Sequence, residues 1–280
     1  MEKVKNIFKD TCVLVTGNIN SDENDFEKIK SVALHNKPIF DKCKMMVVIY
    51  NKMPEITDEE LIRVNNFYKE NFENCYIIPD WANRGWQIGH ADQDKVGFSF
   101  VQHNFSDVKF IFKVSHDVLV TDEILDISVD EDSKFLYQPA INLMDLIQHF
   151  EGDVDRYYDE FNKKSHIDWL SPQTTHYILS TDIDYPYCSS QELHDRYKKW
   201  IEKGAFNVSQ TLVMADEHEL SKSILRNKFK RQMLISKNEF INILKCIQEN
   251  NIGDPSLKNV FISEIGICHW QYKNQEVIKY

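Results

Sequence analysis

The sequence predicts an α/β fold in which a mainly parallel central sheet is flanked by helices. Short, continuously apolar segments alternate with longer segments of helical periodicity over the first ~120 residues, a pattern typical of strands buried on both faces. Several apolar segments end in glycine or polar residues, as strands do at the ligand-binding edge of such sheets. No internal repeat or Pro/Gly-rich linker divides the 280 residues, so we expect a single domain, 1–280.

The amino-terminal half, residues 11–125, has the more regular pattern. Strands are predicted at 12–16, 45–50, 75–78 and 110–114, and helices at 26–40, 57–71 and 89–104. Asp25 is placed to cap the first helix, and Thr57 with Glu60 forms a capping box at the start of the second. By its pattern, this half is predicted to bind a nucleotide.

The remaining residues, 126–280, are predicted to form a smaller half of mixed strands and helices. Strands are predicted at 135–139, 176–180 and 208–214, with a final strand or turn at 260–270. Helices are predicted at 143–158, 190–203 and 236–250. We expect this half to select the substrate.

Composition excludes several classes of partner. The net charge of −11, from 33 basic and 44 acidic residues, would repel nucleic acid. The basic patch at 226–231 is either a solvated helix face or a contact for an anionic substrate or a membrane surface. No apolar run reaches the ~20 residues of a membrane span, and no signal-peptide core is present. The six cysteines are widely spaced, which suits free thiols in the cytoplasm. The oligomeric state is left open.

Glycine is concentrated in one segment of the chain. Only eight glycines are present, and three of them are Gly85, Gly89 and Gly97. Because glycine lets a backbone approach a ligand closely, a turn from strand to helix that contains glycine is typical of a nucleotide site. Gly97 lies further into the predicted helix, so we assign it to helix packing.

Four sequence segments together resemble a known family. They are Thr16-Gly17, Val47-Val48-Ile49-Tyr50-Asn51, Asn83-Arg84-Gly85 with Gly89, and Phe112-Lys113-Val114-Ser115-His116-Asp117. Their order resembles nucleotide-sugar-dependent glycosyltransferases of the GT-A fold (family 2-like), over roughly residues 11–125. The resemblance implies that the first two strand ends hold the nucleobase and ribose, and that the Asn-x-Gly segment passes close to the nucleotide. It also implies an Asp-x-Asp motif that binds Mn²⁺ or Mg²⁺ with the diphosphate.

The motif departs from the family pattern at its first acid. It reads Ser115-His116-Asp117, so Asp117 is the remaining metal ligand. Ser115 could at most contact the ribose or a metal-bound water. The departure leaves metal dependence open.

The resemblance also implies site residues further along the chain. His269 would complete the metal or diphosphate site, and a histidine packed in the core beside Trp270 is the alternative. Glu264, alone among apolar neighbours, could deprotonate an acceptor hydroxyl, or it could cap a helix or form an ion pair. Gln210 lies in the segment that would contact the donor sugar. Asp216 is a second candidate base, or the N-cap of the following helix.

The candidate nucleotide-sugar ligands are mostly strand ends and the glycine segment. They are Thr16, Asn51, Asn83, Arg84, Gly85, Gly89, Lys95, Ser115, His116 and Gln210. Lys95 could reach a diphosphate from the predicted helix. Asp92 and Asp94 lie two apart on that helix and therefore not on one face. We do not interpret them as the metal motif, because they are in a predicted helix and not at a strand end.

The predicted function is transfer of a sugar from a nucleotide-diphosphate donor to a hydroxyl of a glycan or other acceptor. Inversion is hypothesised because lone carboxylates are available as bases. A nucleotidyltransferase is the second enzyme hypothesis, but it should carry a glycine-rich basic loop after the first strand, and residues 16–22 have one glycine and no Lys or Arg. A degenerate GT-A domain that binds a glycan or partner without turnover is the non-enzyme alternative.

Overall fold

A computed structural model of the chain describes residues 3–19, 25–53, 55–79, 88–120, 122–139, 141, 143–162, 172–184, 229–249, 259–262, 267–269 and 276–279. The strands in these ranges are β1 (Lys3–Lys5), β2 (Thr11–Ile19), β3 (Met45–Lys52), β4 (Cys75–Pro79), β5 (Phe110–Ser115), β6 (Val118–Val120), β7 (Ser128–Asp130), β8 (Phe135–Pro139), β9 (Pro172–Ser180), β10 (Arg231–Met233), β11 (Asn259–Ile262), β12 (Ile267–His269) and β13 (Glu276–Lys279). The α-helices are α1 (Asp25–Phe40), α2 (Asp58–Asn71), α3 (Ile88–Asn104), α4 (Leu143–Phe150), α5 (Val154–Asn162) and α6 (Lys237–Glu249). Short 3₁₀ helices cover Ile7–Asp10 and Asp122–Asp126.

Seven strands form one central sheet in the order β10-β8-β9-β5-β2-β3-β4. Strands β5, β2, β3 and β4 are parallel, β9 is antiparallel to both of its neighbours, and β10 is parallel to β8. Two-stranded pairs form from β1 with β7, β6 with β12, and β11 with β13. The prediction of an α/β fold with a mainly parallel central sheet flanked by helices is therefore confirmed.

The strand order places a topological switch beside β2. The chain runs from β2 to β3 and β4 on one side, and then crosses to β5 on the other side of β2. The strand order therefore reverses between β2 and β5. In open α/β sheets, ligands bind outside the carboxyl ends of the strands at such a point. The position of the switch makes the ends of β2 and β5 the first place to look for a site.

The core consists of two apolar layers, one on each face of the sheet. Leu14 of β2 packs with Phe98 of α3 on one face. Its neighbour Val13 packs with Ile29 of α1 and Leu61 of α2 on the other face. Successive strand residues point to opposite faces, and both faces are covered, so nearly every residue of these strands is apolar. This is why the strands are recognisable as continuous apolar segments of the sequence.

Several helix termini follow from local side chains. Thr57 caps α2 by accepting a hydrogen bond at 3.4 Å from the backbone N–H of Glu60, as the capping box predicts. The single helix predicted at 143–158 is wrong, because α4 and α5 are separate. Between them Glu151 and Gly152 adopt φ of 55° and 83°, a left-handed conformation that ends a helix.

Strand lengths and short strands depart most from the predictions. The predicted strand at 12–16 continues to Ile19, because residues past the apolar run still pair with β3. The carboxyl-terminal end of the basic patch at 226–231 is not a helix face. Arg231 begins β10, and Lys230 forms ion pairs with Asp130 and Asp132. The elements predicted at 190–203 and 208–214 lie outside the described residues. No helix within the described ranges is long and apolar enough to cross a membrane.

Candidate functional site

Polar residues from three parallel strands meet at the carboxyl edge of the sheet. Thr16 of β2 is the register partner of Ser115 at the end of β5. One step further along, Asn18 of β2 is paired with Asn51 of β3. The turn after β5 stays close, since the backbone N–H of His116 donates to the carbonyl of Thr16 at 3.0 Å. The structure thus brings together Thr16, Asn51, Ser115 and His116, four residues that the sequence predicts as nucleotide-sugar ligands.

Helix α3 adds two buried side chains that the sequence analysis missed. The Gln93 amide donates to the carbonyl of Gly17 at 2.9 Å, and an Asp94 oxygen accepts from the Thr16 hydroxyl at 3.2 Å. Both side chains are fully or almost fully buried. A signal was present, because Asp94 lies three and four residues before Gly97 and Phe98 and so shares their inward helix face.

Asp94 is the centre of a buried charged cluster with Lys113 of β5 and Tyr177 of β9. Both charged side chains are only 2% exposed. The Lys113 ammonium lies 3.6 Å from an Asp94 oxygen, and the Tyr177 hydroxyl donates to that same oxygen at 2.7 Å. Burial raises the pKa of Asp94 above its ordinary value, while Lys113 and the hydrogen bonds oppose this. The cluster therefore places two compensating charges directly beneath the polar edge.

An aromatic stack lines the opposite face at the same edge. The His116 ring stacks on Tyr50 with 5.5 Å between centroids, and the Tyr50 and Tyr68 hydroxyls are hydrogen-bonded at 3.1 Å. Burial raises the pKa of Tyr50 well above its ordinary value, so this phenol stays neutral. Gly17 lies directly beneath the stack. A Cβ on Gly17 would lie 2.1 Å from His116 Nδ1 and 2.8 Å from a Tyr50 ring carbon.

We expect Gly17→Ala to displace His116 and to lower the free energy of unfolding by about 1–3 kcal/mol, the usual range for overpacking. Urea denaturation of the variant checks this. The double variant Gly17→Ala/His116→Ala is the control, because removing the imidazole removes the shortest contact. The destabilisation by Gly17→Ala should be smaller in that background. Equal effects in both backgrounds would contradict the role given to the His116 contact.

The two candidate metal ligands come to neighbouring positions on the backbone. Asp117 lies in the turn between β5 and β6. His269 of β12 is paired with Val118, the residue that follows Asp117. A carboxylate with an imidazole suits Mn²⁺ better than Mg²⁺, which prefers oxygen ligands. Within the described ranges no cluster of three or more His, Cys, Asp or Glu side chains forms a complete metal site.

The position of β6 is set by a buried side chain as well as by β12. The Asn36 amide of α1 donates to the carbonyl of Val118 at 2.8 Å and accepts from the N–H of Val120 at 2.7 Å. Backbone groups of alternate strand residues point to opposite sides, so Leu119 between them is left to pair with Cys268. Asn36 therefore occupies the place of a neighbouring strand and holds the segment that follows Asp117.

Some buried polar atoms at the edge lack hydrogen-bond partners. They include Asn51 Oδ1, Gln93 Oε1 and His116 Nδ1, none of which is bonded within the part of the chain that the structure describes. A buried polar atom left unsatisfied costs about 1–3 kcal/mol. Such atoms are expected where a ligand supplies the missing partners. Their concentration here agrees with a binding role for this edge.

The remaining predicted site residues divide into two groups. Gly89 is in the first turn of α3, and Lys95 is half-buried on the same helix. The others fall outside the described residues and stay predictions: Asn83, Arg84, Gly85, Gln210, Asp216 and Glu264. The assignment of Gly97 to helix packing is confirmed, because a Cβ there would lie 2.4 Å from Leu14 of β2.

Comparison with known proteins does not place the chain in a family. No family model matches it, and no curated protein matches it either. Its function is therefore inferred from the site geometry together with the resemblance carried by the motif residues. Chemically, the edge offers hydroxyl and amide groups for a polar ligand and a carboxylate at Asp117, with the buried ion pair of Lys113 and Asp94 beneath them.

Proposed function

We propose that the protein is a glycosyltransferase of the GT-A fold, which moves a sugar from a nucleotide-diphosphate donor to a hydroxyl of a glycan or other acceptor. The observation that carries the proposal is the convergence of Thr16, Asn51 and the Ser115–Asp117 turn at one edge. The same residues carry the resemblance of the sequence to that family. Their meeting place is the switch point at which open α/β sheets bind nucleotides.

The nucleoside would lie across the ends of β2 and β3. Asn51 Oδ1 and Gln93 Oε1 are acceptors without partners among the described residues, so they suit the N–H groups of a nucleobase. Gly17 leaves its position on β2 free of a side chain, and the Gln93 amide donates to its carbonyl. The wall beside the nucleoside would be formed by Asn83, Arg84 and Gly85.

The diphosphate would lie beside the turn after β5. Asp117 and His269 would hold Mn²⁺ or Mg²⁺ there, and the pairing of His269 with Val118 supports this assignment. A bound cation supplies charge that stabilises the leaving diphosphate. Asp117 is half-buried, so oxygens of the ligand could bind the same cation from the solvent side.

The acceptor hydroxyl requires a base. Glu264 is the first candidate and Asp216 the second, while Gln210 would contact hydroxyls of the donor sugar. The base would take the proton from the hydroxyl of the acceptor. At the same time, the oxygen of that hydroxyl would bond to the anomeric carbon of the sugar, and the bond between that carbon and the diphosphate oxygen would break. A carboxylate acting only as a base corresponds to inversion at that carbon.

The test is nucleotide release from a panel of nucleotide sugars that includes UDP-sugars, with Mn²⁺ present. One donor should be turned over, and Asp117→Ala should lower that rate by about 100-fold. Asp122→Ala is the matched control, because Asp122 follows closely in the chain and its side chain is 78% exposed. It should leave the rate unchanged.

Other outcomes distinguish the alternatives. Donor binding without release would support the degenerate domain, and pyrophosphate release from a nucleoside triphosphate with a sugar phosphate would support the nucleotidyltransferase. No binding to any donor would contradict the proposal. For the metal site, Mn²⁺ affinity measured by calorimetry should fall in His269→Ala, and an unchanged affinity would remove His269 from it.

A further inference from the structure

Ser115 occupies the position at which the motif is expected to have its first acid. It is the last residue of β5, and 7% of its surface remains exposed. Its hydroxyl oxygen accepts a hydrogen bond at 3.0 Å from the ammonium group of Lys113. The two residues are two apart on one strand, so their side chains lie on the same face of the sheet. A serine hydroxyl that is hydrogen-bonded to a buried lysine differs in its chemistry from the carboxylate expected at this position.

The direction of this hydrogen bond follows from chemistry. A lysine ammonium has three donors and no acceptor, so the Ser115 oxygen must accept. The hydroxyl proton of Ser115 is then available to a different acceptor. Within the described part of the chain, the hydrogen bond from Lys113 is the one that this hydroxyl makes. The side chain is therefore set up to donate outward, and the positive charge behind it strengthens that donation to an anion.

Lys113 is held in place by contacts with two neighbouring elements, α3 and β9. Its ammonium is 3.6 Å from Asp94 of α3, and it lies 5.8 Å from the ring centroid of Tyr177, its register partner on β9. Tyr177 and Thr16 also donate to Asp94, which keeps the carboxylate fixed. The lysine therefore has little freedom to swing away, and the Ser115 hydroxyl keeps a defined orientation.

We propose that Ser115 donates its hydroxyl proton directly to a phosphate oxygen of the ligand, and that Lys113, held by Asp94, is the positioning residue that orients it. The inference rests on the proposed function, since it assigns the diphosphate of the donor to this contact. It adds that part of the diphosphate binding does not depend on a divalent cation. A carboxylate in place of Ser115 would instead repel the phosphate and require a cation between them.

Pyrophosphate binding, measured by calorimetry with EDTA and then with Mn²⁺, tests this contact without any turnover. The native protein should bind pyrophosphate in EDTA, and Ser115→Ala should weaken that binding about tenfold or more, as expected for a hydrogen bond to a charged group. Ser115→Thr, which keeps the hydroxyl, should retain it. Ser115→Asp should lose binding in EDTA and recover it with Mn²⁺.

Lys113 is tested through its coupling to Ser115. Lys113→Met is combined with Asp94→Leu so that no unpaired charge remains buried. In this background, Ser115→Ala should change pyrophosphate affinity less than it does in the native protein.

Two results would overturn the inference: no binding of pyrophosphate in EDTA, or equal affinity of the native protein and Ser115→Ala there. Neither depends on sugar transfer. Failure of every nucleotide sugar to react, with the Ser115 effect intact, would count against the proposed function alone. Ser115 is at a strand end near the surface, and unchanged circular dichroism and melting curves confirm that its variants are folded.

Discussion

Asp94→Ala is expected to lower the free energy of unfolding by about 3–5 kcal/mol, the range for removing one partner of a buried ion pair. The reason is what the substitution leaves behind. Lys113, with only 2% of its surface exposed, would lose the nearby carboxylate. The hydroxyls of Thr16 and Tyr177 would each lose an acceptor as well. Urea denaturation at neutral pH measures the change.

The control for Asp94→Ala is an ion pair of the same type at the surface. Lys44 and Asp107 are 2.8 Å apart, but the Asp107 side chain is 68% exposed. Water and salt screen such a pair, so Asp107→Ala should leave the urea midpoint almost unchanged. Comparable losses in the two variants would contradict the importance of burial. Adding Lys113→Met to Asp94→Ala should recover part of the stability, because it removes the buried amine that has lost the Asp94 carboxylate.

The buried cluster of Asp94, Lys113 and Tyr177 also predicts that the stability of the fold depends on pH. Burial raises the pKa of Asp94, so the folded chain binds this proton more tightly than the unfolded chain does. The contribution of Asp94 to stability is therefore greatest below its ordinary pKa, and it decreases as the pH rises through the raised folded-state value. Asp94→Asn stays neutral and should remove this decrease, seen as a flatter dependence of the urea midpoint on pH from about pH 4 upward. If the urea midpoint of Asp94→Asn depended on pH as that of the native protein does, the assigned role of Asp94 would be contradicted.

Asn36→Ala is expected to cost about 2 kcal/mol or more, because two buried backbone groups lose their partner and each unsatisfied group costs about 1–3 kcal/mol. Asn36 is 2% exposed and bonds both Val118 and Val120. Because β6 follows Asp117 directly, we also expect weaker Mn²⁺ binding in this variant. Thermal unfolding and calorimetric Mn²⁺ titration measure the two effects.

Asn104→Ala is the matched control for Asn36→Ala. The Asn104 amide also donates to a backbone carbonyl, that of Phe100 at 2.8 Å, but it is exposed at the end of its own helix. Its loss should change stability by no more than about 0.5 kcal/mol, because water replaces the bond. If Asn36→Ala were equally mild, the amide would not be what holds β6.

The sequence was informative wherever one physical signal dominated. Strands β2, β3 and β5 are buried on both faces, so their apolar runs identified them, although polar ends such as Asn18 and Asn51 were left out of the runs. The break between α4 and α5 was missed, even though Gly152 was its signal. The three-residue strands β6 and β10 are too short for any periodicity, and they form because a neighbouring strand is already there.

The site was predicted in part for the same reason. The positions of Thr16 and Ser115 follow from where an apolar run stops, although β2 itself continues past Thr16 to Ile19. Asp94 was judged only by its spacing from Asp92 and its place in a predicted helix, and Lys113 was given no role beyond its place in the motif. A lone lysine within a strand buried on both faces was the available signal, since lysine is almost never fully buried unless it is paired.

The order of the elements and their apolar faces, and with them the α/β class, were already present in the chain's local pattern of side chains. That β5 crosses to the far side of β2, that Asp94 meets Lys113, and that His269 pairs beside Asp117 were decided only by the folded structure. Periodicity reports the environment of residues within one element. Contacts between distant elements depend on which surfaces pack together, and that is a property of the whole chain.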